Sequence, residues 1–225
     1  PKGKETRITL SVGFAEETDG YAWPETGAAR REGEGIAAEF SCHPLPAAST
    51  KGGNSLTPDR LYNLEIQQYD RAGIRIGGMT SAVTAAVGER LTLTLAEEAD
   101  CQLVAVAWGD QNTTRLGTGS LSQAQQKSIP SATISSLDAT RQADMNKMPY
   151  VLHLPHVKVE NNTLKSPEGE DIRLRLRRLA TRLTLNWTYA VPDYTLSQIL
   201  LQSIPLHYNV VAAPAADHTY PSLLD

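Results

Sequence analysis

The sequence is short of cysteine, of aromatic residues and of long apolar runs, and each shortage removes a class of protein. Two cysteines among 225 residues, Cys42 and Cys101, cannot make a disulfide framework or a four-cysteine zinc site. Two unrelated buried thiols is the plainer reading of them, and a Cys42–Cys101 bond stays open. Aromatic residues stand at 6% and the formal charge is −4, so the chain as a whole is no nucleic-acid binder. No stretch approaches the roughly 20 apolar residues of a membrane span. Charged residues at 20% and hydrophobic ones at 40%, with 16 Gly and 13 Pro, exclude a coiled coil, a collagen-like fibre and wholesale disorder. The chain opens Pro1-Lys2-Gly3-Lys4, without Met and without a signal-like apolar segment, which reads as a processed chain or one whose export segment has been removed. What remains is a loop-rich, mildly acidic protein, long enough to bury roughly 70–75% of its unfolded surface without staples.

What the sequence does contain is alternation. Ile8, Leu10, Val12 and Phe14 alternate with Thr9, Ser11 and Gly13, the period of a half-buried strand. Residues 16–57 are rich in Gly, Ala, Pro, Glu and Ser and read as an extended loop, of the kind that is functional or disordered when so long. Strands resume at 61–69, followed by an Asp70–Gly73 turn, and at Leu91, Leu93 and Leu95. Cys101 to Trp108 is apolar on both faces and belongs inside a packed sheet. Ile134, Leu137, Arg141, Met145 and Met148 fall at helical spacing. Strand returns over 151–159 and again over 194–206, before a Pro/Ala-rich tail. Between Ile172 and Trp187 the apolar set changes from even positions (Leu174, Leu176) to odd ones (Leu183, Leu185, Trp187), which predicts a bulge or break near Arg177–Arg178. The pattern predicts a mainly β, antiparallel sandwich with one or two short helices in the 119–148 region. Its expected core includes Leu64, Ile66, Leu93, Val104, Val106, Leu183, Leu185 and Trp187. The expected division is 1–56 (strand plus long loop), 57–211 (sandwich) and 212–225 (linker).

Catalytic patterns are missing: no Gly-x-Ser-x-Gly, no His-Glu-x-x-His, and no motif around either cysteine, so the chain reads as a non-enzyme without cofactor or metal. His153 and His156, three apart in a strand with Pro155 between, project from opposite faces and read as separate surface or edge histidines. Gly117-Thr118-Gly119 lacks the third glycine of a dinucleotide fingerprint and reads as a turn. Arg173, Arg175, Arg177, Arg178 and Arg182 place five positive charges between Ile172 and Trp187 without one acid. They read as a solvated strand face, with an acidic partner subunit or an anionic glycan as the functional alternative. Asn112, Asn161 and Asn186 fit the glycosylation sequon, which has meaning only in a eukaryotic chain.

Several segments, in order, resemble the fimbrillins, the pilins of Bacteroidales-type surface fimbriae. Leu61 to Gly73 is similar to their strand ending in Phe/Tyr-Asp-x-x-Gly. Leu91 to Asp110 resembles their paired strands closed by Gly-Asp, here Gly109-Asp110. Leu176 to Leu185 resembles their Leu-x-Arg-x-Ala-basic strand, and Leu196 to Pro205 their closing strand. The resemblance spans roughly 57–208. It implies a transthyretin-like, Greek-key sandwich, export to the cell surface and outer membrane as a lipoprotein, and assembly by donor-strand exchange. In that process an arginine-specific protease removes the first strand, and a strand from the next subunit fills the groove. Carried onto this sequence, Ile8, Leu10, Val12 and Phe14 form the removable strand and Arg30-Arg31 the cut site. The lipid-bearing cysteine would lie upstream of Pro1, and the domain with donor strands would follow Asp225. The expected partners are other fimbrial subunits and a surface receptor or glycan, with no nucleic acid. The rival reading is an adhesin or glycan-binding sandwich module with an aromatic platform from Trp23, Trp108 or Trp187.

Overall fold

The computed structural model describes residues 4–14, 29–33, 36–43, 60–109, 115–130, 149–178, 182–193, 195, 197–198 and 207–211. Its elements in chain order are β1 (Glu5–Phe14), β2 (Ala29–Gly33), β3 (Ile36–His43), β4 (Arg60–Tyr69), β5 (Arg75–Gly78), β6 (Val83–Ala86), β7 (Arg90–Ala96), β8 (Glu98–Trp108), α1 (Leu121–Gln125), β9 (Ser128–Pro130), β10 (Pro149–Glu160), β11 (Thr163–Lys165), β12 (Leu174–Arg178), β13 (Arg182–Tyr189) and β14 (His207–Asn209). The chain is mainly β, as its alternation predicts. The main sheet runs β5-β4-β8-β10-β12-β1-β7, with β11 added to β10 and β6 to β4.

The two ends of that path come close to meeting. A Cβ added to Gly77 of β5 would lie 3.1 Å from the Ala96 nitrogen and 3.4 Å from Leu95 Cα on β7, so the sheet is nearly closed. This explains a departure from the all-antiparallel expectation: β1 pairs with β12 in parallel, Val12 to Phe14 opposite Leu174 to Leu176. Strand directions cannot alternate all the way round a ring of seven, so one neighbouring pair must run the same way. That pair is β1–β12; β1 meets β7 antiparallel, from Glu5 opposite Ala96 to Ser11 opposite Arg90.

The register sorts the side chains. Ile66 lies opposite Ala105 and Gln68 opposite Leu103, and this set looks across to β1 and β7. Glu65 lies opposite Val106, and its carboxylate accepts from Leu116 N at 2.8 Å, so the other face is covered by the 115–130 segment. Leu121 N donating to Gly73 O at 2.9 Å and Val210 N to Lys127 O at 2.8 Å fasten that cover. Both faces of β8 are therefore dry, and its apolar run from Cys101 to Trp108 follows. Leu64, Ile66, Leu93, Val104 and Val106 are all buried.

Elsewhere the structure departs from the sequence reading. Residues 16–57 are not one loop: β2 and β3 form a hairpin there, and β3 also pairs with β13, from Arg182 opposite His43 to Tyr189 opposite Ile36. Ile36, Ala38, Phe40 and Cys42 do alternate, but small alanines dilute the contrast. The phase change after Arg178 is a change of sheet, since β12 belongs to the main sheet and β13 to the β13-β3-β2 sheet. α1 falls inside the 119–148 region and is closed by a capping box between Ser120 and Gln123. The helical spacing from Ile134 to Met148 lies outside the described residues, as do the 212–225 segment and most of the strand expected over 194–206. So do the side chains of Leu183, Leu185 and Trp187.

Candidate functional site

Strand β1 is the feature on which the expected function turns. Its even positions point inward: Thr6, Ile8 and Val12 are buried, and Leu10 and Phe14 pack half-buried against the core. The Phe14 ring sits 4.5 Å from that of Tyr150, tilted by 49°. Full burial of an aliphatic side chain contributes about 1.5–3 kcal/mol, so Ile8 and Val12 alone supply a sum comparable with the low end of a domain's net stability. The strand is held on two sides. Along β7 the ladder is long, extended by Glu97 N to Lys4 O at 2.7 Å and by Gly88 N to Val12 O at 2.9 Å, with a Lys4–Glu97 ion pair at 3.1 Å. Along β12 only Val12 to Phe14 are registered. Toward its start, Thr6 is tied to the Asn161-Asn162 turn: Asn162 N donates to its hydroxyl at 3.1 Å, and the hydroxyl donates to Asn162 Oδ1.

β7 has β1 as its one ladder partner among the described strands, yet a second clasp holds it. The buried Gln68 carboxamide donates to Ala96 O at 2.9 Å and accepts from Ala96 N at 2.8 Å, imitating a strand pair across the seam. It also donates to Cys101 Sγ at 3.2 Å. The side chain passes through the space a Gly77 Cβ would fill, touching it with Oε1, so glycine is needed there for close approach. Cys101 is a free, buried thiol pushed up in pKa by desolvation; it also donates to Val157 O at 3.5 Å.

The other candidates fall out as follows. Arg30 and Arg31 lie in strand β2, opposite Glu39 and Ala38, and not in a loop. β2 is the outer strand of the β13-β3-β2 sheet. His153 and His156 share a face, contrary to strict alternation. A bulge sets Leu154 opposite Leu103 but Val157 opposite Cys101, three residues against two, which resets the phase. His153 Nε2 pairs with Gln102 Oε1 at 3.0 Å, and burial pushes its pKa down. His156 Nδ1 meets Asp100 at 3.2 Å, and Asp100 also holds Arg71 at 2.8 Å. Among the described residues no three His, Cys, Asp or Glu are grouped to hold a metal ion. Gly117-Thr118-Gly119 leads into the Ser120 cap, and Gly117 and Gly119 line an open cavity of about 500 Å3 in which Lys127 is the one ionisable group among the described lining residues. Trp108 is buried and offers no platform; Trp23 and the Trp187 side chain lie outside the described residues.

Sequence reasoning passed over Gln68, Gly77, Asn162 and the partnership of Gly13 with Arg175. The signal available for the first was Gln67-Gln68, two adjacent carboxamides between Ile66 and Tyr69, where strict alternation would leave one of them facing the core. Compared with protein-family models, with curated proteins and with solved structures, the chain matches none.

Proposed function

We propose that this protein is a non-enzymatic structural subunit of a bacterial surface fimbria, of tip or accessory type, assembled by exchange of its first strand. In this reading the body is a transthyretin-like, Greek-key sandwich, exported to the cell surface as a lipoprotein. The observation that carries the reading is the position of β1: an N-terminal strand lying between β12 and β7, supplying Ile8 and Val12 to the core. Its loss leaves two strand edges and a row of empty apolar pockets, which a donated strand of the same alternation refills. The Gln68 clasp supports it further, because β7 keeps an attachment when β1 leaves.

The test is limited digestion of the full chain with an arginine-specific protease. The expected result is a cut at Arg30 or Arg31, release of β1 under mild denaturant, and capture of a synthetic peptide spanning residues 4–14 with recovery of the original melting temperature. Digestion that never cuts there, or a cut chain that takes up a scrambled peptide equally well, refutes the reading.

A further inference from the structure

The outward face of β7, β1 and β12 combines features that strand exchange does not use. On β1 the exposed residues are Glu5, Arg7, Thr9 and Ser11; on β7 they are Arg90, Thr92 and Thr94; Arg173, just before β12, is exposed, and Arg175 on β12 is half-buried. The register interleaves them, with Arg7 opposite Thr94, Thr9 opposite Thr92, Ser11 opposite Arg90 and Gly13 opposite Arg175. Gly13 has a specific part in this. Its missing side chain lets the Arg175 guanidinium lie across β1, Nη1 being 2.8 Å from where a Cβ would stand.

Among the described residues, Arg7, Arg90, Arg173 and Arg175 have no carboxylate partner. The acids on this side stand at its margins. Glu5 begins β1, Glu89 caps the turn before β7 by accepting from Ala86 N at 2.8 Å, and Asp171 sits 3.9 Å from Lys165. A chain of net charge −4 thus gathers four unpaired arginines on one open sheet face.

We infer that this face binds an anionic polysaccharide, a chain of sugars bearing carboxylate or sulfate groups. Guanidinium forks suit such oxyanions, and threonine and serine hydroxyls between them suit sugar hydroxyls. Strands about 4.8 Å apart, with same-face residues about 6.7 Å apart along each, repeat the charges at spacings an extended polyanion can follow. Among its described residues the face carries no aromatic ring, since Phe14 points inward onto Tyr150, so single-stranded nucleic acid finds nothing there on which to stack. Its outward described side chains are arginine, threonine, serine and glutamate, so among them an acidic peptide finds no apolar anchor. Arg90 lies on β7, Arg175 on β12 and Arg173 just before β12, so the inference does not depend on removal of β1.

The test measures binding of the full chain to heparin, to polygalacturonate and to neutral dextran at low salt, with poly-glutamate and oligo-dT as competitors of the other classes. The variant Arg90→Gln/Arg173→Gln/Arg175→Gln is compared with Arg60→Gln/Lys127→Gln/Lys158→Gln, which loses the same charge elsewhere; single Arg173→Gln serves if the triple variant does not fold. Expected is binding to one or both anionic polysaccharides, none to dextran, and at least about a tenfold loss in the first triple variant (about two- to threefold for Arg173→Gln alone) against little change in the second. Heparin alone points to sulfate, polygalacturonate alone to carboxylate. Binding to neither, equal losses in both triple variants, or preference for poly-glutamate or oligo-dT overturns the inference.

Discussion

Replacing Gln68 by methionine keeps the length and volume of a buried side chain while deleting its carboxamide. In the native protein that group satisfies both the N–H and the C=O of Ala96 at 2.8 and 2.9 Å, and Ala96 is itself only 5% exposed. Gln68→Met leaves two buried backbone groups without partners, each costing about 1–3 kcal/mol. Part of this is offset because the amide no longer has to be desolvated, so the net loss is about 2–4 kcal/mol. For a chain of this size that lowers the melting temperature by roughly 5–15 °C. Urea titration followed by far-UV circular dichroism measures it, with Gly77→Ala as an independent perturbation that pushes a Cβ into the same carboxamide. A loss under about 1 kcal/mol for Gln68→Met, with an unchanged m-value, would show that the seam is not held by this clasp.

Three further outcomes are expected. Ile8→Ala costs about 2–5 kcal/mol in urea titration while Ser11→Ala, on the solvent side of the same strand, stays within about 0.5 kcal/mol; equal effects would contradict the facing assigned to β1. Burial lowers the His153 pKa from 6.5, so the unfolded chain takes up its proton first and stability falls as pH drops from about 7 to 5. His153→Gln flattens that slope, and an unaltered slope in pH-dependent melting refutes the assignment. Tyr69 Oη is buried without a hydrogen-bond partner, so Tyr69→Phe is neutral or stabilising by up to about 1 kcal/mol, and a clear loss would reveal a partner.

Local periodicity made the strand content legible: Ile8 to Phe14, Leu91 to Leu95 and Cys101 to Trp108 each declare their burial by alternation or by unbroken apolarity. The phase change after Arg178 was legible as a discontinuity, but not as a transfer between sheets, because pairing partners are set by distant residues. The parallel β1–β12 pair was hidden for the same reason, being a consequence of ring parity and not of either strand's composition. The β2–β3 hairpin was masked by alanine, which carries little contrast. The bulge that puts His153 and His156 on one face depends on where β10 slips against β8, and Pro155 marks the place without stating the outcome. The arginine run was visible in sequence, but that it shares a sheet face with Arg7 and Arg90 required the fold.

The single same-direction neighbour pair has a geometric corollary. Between β5 and β7, which run opposite ways, an added strand would align with one flank and oppose the other, as β1 itself does between β12 and β7. Between β12 and β1 the flanks agree, and a newcomer could oppose both at once. Registered contact there ends at Val12, and upstream of it the β12-facing margin of β1 has no ladder partner among the described strands. An eighth stave set in that joint would turn an odd ring into an even one with every neighbour reversed.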